Sequence, residues 1–160
     1  MREDHEQVTN ARGLLVISAG GRLFAVYEGE AECVAEGLRP APLPRAPRAV
    51  LGVVCVRGRM RTVLDPAALL CGDDDEAAVK NHEPAPRRVV CLRGDEQLAL
   101  AADSVEYAPA LPVEEVAAAD EPPLRATLTH GGRTIFLLDP AKLFEAAIHG
   151  SERRRQREKT

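Results

Sequence analysis

One stretch of this chain is written twice. GRMRTVLDPAAL begins at Gly58, and GRTIFLLDPAKL begins at Gly132. Gly58, Arg59, Leu64, Asp65, Pro66 and Leu69 fall on Gly132, Arg133, Leu138, Asp139, Pro140 and Leu143, each pair 74 positions apart (58 to 132). The same offset places Gly20 on Gly94, Ala25 on Ala99 and Val26 on Leu100. A single repeat period therefore organises nearly the whole chain, and a fold for it must accommodate two similar units. Arg57 breaks the pattern: its counterpart is Gly131.

The repeated stretch reads as a hairpin followed by a helical turn. Val53 to Val56 and Met60 to Leu64 are β-branched or apolar runs on either side of Arg57-Gly58. Asp65 and Asp139 cap the turns that follow, with Pro66 and Pro140 tolerated in the first turn. Gly20-Gly21 and Gly131-Gly132 mark further tight hairpins. Strands are expected over Leu14–Ala19, Leu23–Tyr27, Ala31–Leu38, Arg88–Leu92, Gln97–Ala101, from Asp103 onward, and over Leu124–Thr129 and Arg133–Leu138. Pro40, Pro42, Pro44 and Pro47 lack the N–H that pairing needs and imply an extended connection. Pro109 to Pro123 reads as a second irregular connection. A helical turn is expected at Ala49–Leu51. Ala141–Ile148 reads as an amphipathic helix, with Leu143, Phe144 and Ile148 on its apolar face. Each unit thus offers about five short strands, a pattern that closes into a small barrel. The expected organisation is a polar lead-in over 1–12, one domain over 13–148 made of halves at about 13–72 and 87–148 with possible exchange of elements, and a basic tail over 149–160.

Composition narrows the function. The 160 residues suffice for a core. A net charge of −4, no Trp, two Tyr and three Phe argue against a nucleic-acid binder. No apolar run is long enough to span a membrane, and the N-terminus lacks an apolar signal core. The four cysteines at 33, 55, 71 and 91 form no C-x-x-C pair, so no structural zinc site is expected. Cys33, Cys55 and Cys91 lie in apolar runs and read as small core residues. The acidic stretch Asp73–Glu76 falls in a solvated linker, without the spaced ligands and central Gly of a calcium loop. The histidines at 5, 82, 130 and 149 stand near no nucleophile, and neither a G-x-S-x-G elbow nor a P-loop occurs. Asp65 and Asp139 share one local context and read as caps, not as a catalytic pair. An enzyme is not expected, nor is a metal or a cofactor. Arg57 precedes a turn glycine, so its forked donors can project toward a partner.

The run from Pro42 to Gly58, P-L-P-x-A-P-x-x-V-L-G-V-V-x-V-R-G, resembles the central signature of CheW-like domains. Cys55 stands where that family usually has Asn, and Thr62 where it usually has Pro. Val34-Ala35-Glu36 resembles the upstream V-x-E, Leu64-Asp65 the later V-D-L, Asp103-Ser104-Val105 the D-x-V of the second half, and Phe136–Asp139 the closing hairpin. The resemblance runs over roughly residues 13–148. It implies a mainly β fold of two five-stranded, SH3-like β-barrel subdomains with short helices. It implies a non-catalytic adaptor between the cytoplasmic tips of chemoreceptors and the regulatory domain of a CheA-type histidine kinase. Receptor contact then maps to Val34, Glu36, Arg57 and Gly58, with Gly52, Asp65, Gly132 and Asp139 as structural positions. It also implies a cytoplasmic protein recruited to receptor arrays, without membrane insertion or an obligate homo-oligomer. No kinase or response-regulator segment is attached, which points to a stand-alone adaptor. From the residues alone, a double-barrel small-ligand-binding protein, or another interaction module of a two-component pathway, is the alternative; few aromatics are available to line its pocket.

Overall fold

A computed structural model describes residues 13–70, 88–109, 115–118 and 123–148. The expectations for the lead-in, the acidic linker with Cys71, three of the histidines (5, 82 and 149) and the basic tail lie outside the described residues. Among the described residues there are eleven strands: β1 (Leu14–Ala19), β2 (Arg22–Tyr27), β3 (Ala31–Glu36), β4 (Val50–Val56), β5 (Arg59–Leu64), β6 (Arg88–Leu92), β7 (Leu98–Ala102), β8 (Ser104–Ala108), β9 (Glu115–Ala118), β10 (Leu124–His130) and β11 (Arg133–Leu138). They form a six-stranded sheet in the order β8-β1-β2-β11-β10-β9 and a five-stranded sheet in the order β3-β6-β7-β5-β4.

Each sheet draws on both copies. The first copy's β1-β2 hairpin lies beside the second copy's β10-β11 hairpin, and the second copy's β6-β7 hairpin lies beside the first copy's β4-β5. The joins are parallel and equivalent: Phe136 faces Phe24 where Thr62 faces Leu98. Both C-terminal hairpins carry a bulge at the same place, between Val50 and Gly52 and between Leu124 and Ala126. Asp65 N–H donates to Ala49 O at 2.8 Å, and Asp139 N–H to Pro123 O at 2.8 Å.

Three apolar clusters hold this arrangement. The central one lies between the sheets and combines Leu15, Ile17, Phe24 and Val26 with Val90, Leu92, Leu98 and Leu100. A second draws on all five strands of the smaller sheet, including Val54, Val56, Val63, Val89, Cys91 and Ala99, with Cys33 and Ala35 packed against it. A third lies on the larger sheet, with Leu14, Ala25, Ala126, Leu128, Ile135 and Leu137. Strands such as β6 and β7 feed alternate side chains into two clusters, so they read as continuous apolar runs.

The closed five-stranded barrels expected from the sequence are instead two open sheets, of six and five strands. The unequal count has a physical cause. In the second copy, β9 pairs with β10, and Ala117 faces Thr127. In the first copy, Ala41 faces Val53 and exchanges both backbone hydrogen bonds with it, at 2.8 and 2.9 Å. Pro40 and Pro42 flank Ala41 and have no N–H to extend the ladder, so the sixth strand is reduced to one bridge. β9 itself corrects the expectation that Pro109–Pro123 is irregular throughout.

Three further expectations change. Ala49–Leu51 is not a helical turn, because Val50 opens β4 and pairs with Leu64. Cys55 is exposed: β4 alternates, so Val54 and Val56 face the second cluster and Cys55 faces away. The C-terminal helix begins with a 3₁₀ turn at Pro140–Lys142 and continues over 143–148. Its buried face is Leu143 and Ala147, four residues apart, whereas Phe144 is 45% exposed. α1 (Pro66–Leu70) follows β5 and contributes Ala67 to the central core.

Candidate functional site

The β4-β5 hairpin closes with a two-residue turn, Arg57-Gly58, between the paired residues Val56 and Arg59. Gly20-Gly21 and Gly131-Gly132 make the same kind of turn. In all three, both central residues have positive φ, as the primed hairpin turns that match strand twist require. Only the first copy's central turn places a side chain there: Arg57 has φ 51°, where its counterpart Gly131 has φ 57°. A side chain in this left-handed region costs on the order of 1 kcal/mol. Arg57 and Gly58 are exposed. Met60, which is 58% exposed, and the exposed Cys55 face each other just below the turn.

At the far end of the same hairpin, Gly52 pairs with Val63. A Cβ at this position would lie 2.3 Å from Ala41 O and 3.0 Å from Pro40 Cβ, and φ is 148°. The glycine therefore lets the proline-rich segment lie directly against β4. Asp65 is 2% exposed, and its Oδ1 accepts from Ala67 N–H at 3.0 Å, fixing the chain where β5 ends. Asp139 accepts from Ala141 N–H at 3.1 Å. Gly132 occupies the second position of the closing turn.

Val34 and Glu36 lie on edge strand β3, on its exposed face; Val34 is 42% exposed. Glu36 Oε1 pairs with Nε of its cross-strand neighbour Arg88 at 3.2 Å, and both side chains remain well exposed. The structure thus puts Val34 and Glu36 on one edge of the five-stranded sheet and Arg57 and Gly58 on the hairpin at the other.

A residue missed by the sequence reasoning links these edges. Arg61 on β5 is buried; its Nη1 donates to Leu92 O at 2.9 Å, and its Nη2 pairs with Glu32 Oε2 on β3. In a flat sheet β3 and β5 would stand about 14 Å apart, three strand spacings. An arginine spanning from one to the other shows that the sheet curls around its own cluster. Hydrogen bonding to Arg61 holds the Glu32 carboxyl below its usual range, against the opposing effect of desolvation, and Arg59 and Arg93 add to the lowering. Arg61 has the buried Ile135 as its counterpart in the other copy. An arginine where the repeat has an apolar core residue was the available signal.

Arg125 makes a second link. It sits at the bulge of β10, in the place of Leu51, and grips Glu30 with both nitrogens at 3.1 and 3.2 Å. Its Nη2 also reaches Asp139 Oδ1 at 3.2 Å, and the guanidinium lies 5.1 Å from the Tyr27 ring centroid. Burial opposes its charge, but the Glu30 hydrogen bonds and the charges of Glu30 and Asp139 outweigh that and hold the proton more firmly. Glu30 lies in the 3₁₀ turn Glu28–Glu30, where the chain passes from one sheet to the other. A cleft of about 520 Å³ beside it is lined by Gly13, Tyr27, Glu28, Gly29, Glu30 and Arg125. Its charged groups are committed to one another or to Tyr107, whose hydroxyl donates to Glu28 at 2.8 Å.

The CheW-like domain family matches residues 13–147, the span that contains both copies and both sheets. The chain belongs to the CheW-like domain family. Among solved structures, this CheW-like chain is similar to the scaffolding protein TtCheW from Thermoanaerobacter tengcongensis, with a TM-score of 0.62 and 12% identity over 80% of this chain and 88% of that one. At that identity the likeness speaks to the fold: a CheW-like domain with most of its sequence rewritten around the same strands. No curated protein matches the chain.

Proposed function

We propose that this CheW-like protein is a non-catalytic adaptor that couples the cytoplasmic tip of a chemoreceptor to the regulatory domain of a CheA-type histidine kinase, in chemotaxis or a related motility pathway. Family membership over 13–147 supports the general role. The observation that carries the site is Arg57: an exposed arginine kept at positive φ, in a turn whose repeat partner is Gly-Gly. Backbone strain retained on a surface turn points to a use for the side chain. On this reading Arg57 and Gly58, with Val34 and Glu36 on the opposite edge, receive the receptor. The forked donors of Arg57 suit the carboxylates and amides of a helical receptor tip.

The acting unit is one domain over 13–148, whose halves (about 13–72 and 87–148) exchange hairpins; each curled sheet is the open form of a small SH3-like barrel. The protein acts in the cytoplasm at membrane-associated receptor arrays, without a cofactor. Asp65 and Asp139 spend their carboxylates on caps, which suits a scaffold better than an enzyme. The test is capture of a receptor cytoplasmic fragment by the wild type, Arg57→Glu and Arg133→Glu. Arg57→Glu should lose roughly thirty-fold in affinity, about 2 kcal/mol, and Arg133→Glu much less. Full capture by a normally folded Arg57→Glu protein would remove the receptor from this turn.

A further inference from the structure

Cys33 and Cys91 face each other directly across β3 and β6. Both side chains belong to the second apolar cluster, Cys91 as a buried member and the half-buried Cys33 packed against it. Directly opposed residues of an antiparallel pair have Cα atoms about 4.5–5.5 Å apart, inside the roughly 4.4–6.8 Å window of disulfides. No other described cysteine has such a partner: Cys55 faces Met60. We propose that Cys33 and Cys91 are a reversible redox site, oxidised by a hydroperoxide to a disulfide that fastens the edge strand β3 to β6.

The two thiols have different roles. Desolvation, then a hydrogen bond with Cys33, raises the Cys91 thiol above its ordinary range. Cys33, the more exposed of the two, meets the oxidant. Its sulfur attacks the peroxide, the O–O bond breaks, and Cys33 becomes a sulfenic acid as the alcohol or water leaves. The Cys91 sulfur then attacks the Cys33 sulfur. The S–O bond breaks, and the departing hydroxide takes the Cys91 proton as water. Two thiols and one hydroperoxide thus give one disulfide, one alcohol (or water, from hydrogen peroxide) and one water. Cβ atoms directly opposed across strands lie about 4.5–5.5 Å apart, whereas a disulfide wants about 3.5–4.5 Å. The link must therefore draw the strands together, and strained disulfides are the readily reduced, regulatory kind. In a reducing compartment a cysteine pair of this sort serves as a sensor more often than as a staple.

The experiment treats the reduced, full-length protein with hydrogen peroxide at neutral pH and maps its peptides without reduction. The expected result is loss of the free thiols of Cys33 and Cys91, one peptide joining them, and full reversal by dithiothreitol. The same link should form in the Cys55→Ala/Cys71→Ala double variant, which leaves the pair untouched. In Cys91→Ala, Cys33 should stop at the sulfenic acid and be trapped by dimedone. A disulfide mapped to Cys55 or Cys71, or Cys33 and Cys91 still reduced once Cys55 has oxidised, would overturn the proposal.

Discussion

At Arg57, stability and binding are set against each other. Arg57→Gly gives the first copy the Gly-Gly turn already present in the second. The fold should gain on the order of 1 kcal/mol as the left-handed strain is removed, while receptor capture falls as it does for Arg57→Glu. Denaturant midpoints and pull-downs on the same preparations read the two effects separately. Arg57→Glu should leave the midpoint within about 0.5 kcal/mol of wild type, as surface changes usually do. A few residues away, Gly52 shows the opposite behaviour. Gly52→Ala puts a methyl group 2.3 Å from the carbonyl oxygen of Ala41. Backbone, not a flexible side chain, must then move, at a cost of about 1–3 kcal/mol. The Ala41–Val53 bridge should open, and amide exchange at Val53 should accelerate. An unchanged midpoint with slow exchange at Val53 would show that the segment yields without cost.

Among the elements, the curled sheet depends on Arg61 reaching from β5 to β6 and β3. Arg61→Ala should cost about 1–3 kcal/mol, because the buried carbonyl of Leu92 loses its donor; Glu32 loses its partner as well. The same pair predicts a pH dependence. The folded-state pKa of Glu32 is lowered from its ordinary 4.5. Its contribution to stability is therefore complete above about that value and lost as the pH falls through the lowered one. Chemical melts of wild type and Glu32→Gln should diverge above pH 4.5 and converge in stronger acid; parallel curves would show that the pair adds nothing. The repeat marks Arg61 as odd against Ile135, but the partners of Arg61 and Arg125 were not legible in the sequence, because they lie 29 and 95 positions away and no local pattern names them. The hairpins were legible for the opposite reason: the information in Arg57-Gly58, Gly131-Gly132 and their flanking valines and leucines is local. β9 was missed because Glu115–Ala118 has no strand alternation of its own and gains its form from the edge of β10. Cys55 was misplaced because an apolar run does not state its parity; only the pairing of β4 does. The residues proposed for receptor docking come from family resemblance, with the offset of Arg57 against Gly131 as the one clue internal to the chain.

Over the whole molecule, the exchange of β1-β2 for β6-β7 leaves neither half with a complete sheet. Fragments ending or beginning in the link between the copies should be unfolded alone and should regain strand circular dichroism when mixed. A folded isolated half would show that the halves are independent. The central claim is the proposed coupling of receptor to kinase by this protein, with the receptor received at Arg57. Its most direct test is reconstitution of receptor fragment, CheA-type kinase and this protein, with complex formation and kinase autophosphorylation read on the same samples. The account predicts one three-component complex with receptor-dependent kinase activity, and an Arg57→Glu protein that still binds kinase, loses the receptor and loses the stimulation. A wild-type protein that binds neither partner, or an Arg57→Glu protein that couples them fully, would contradict it.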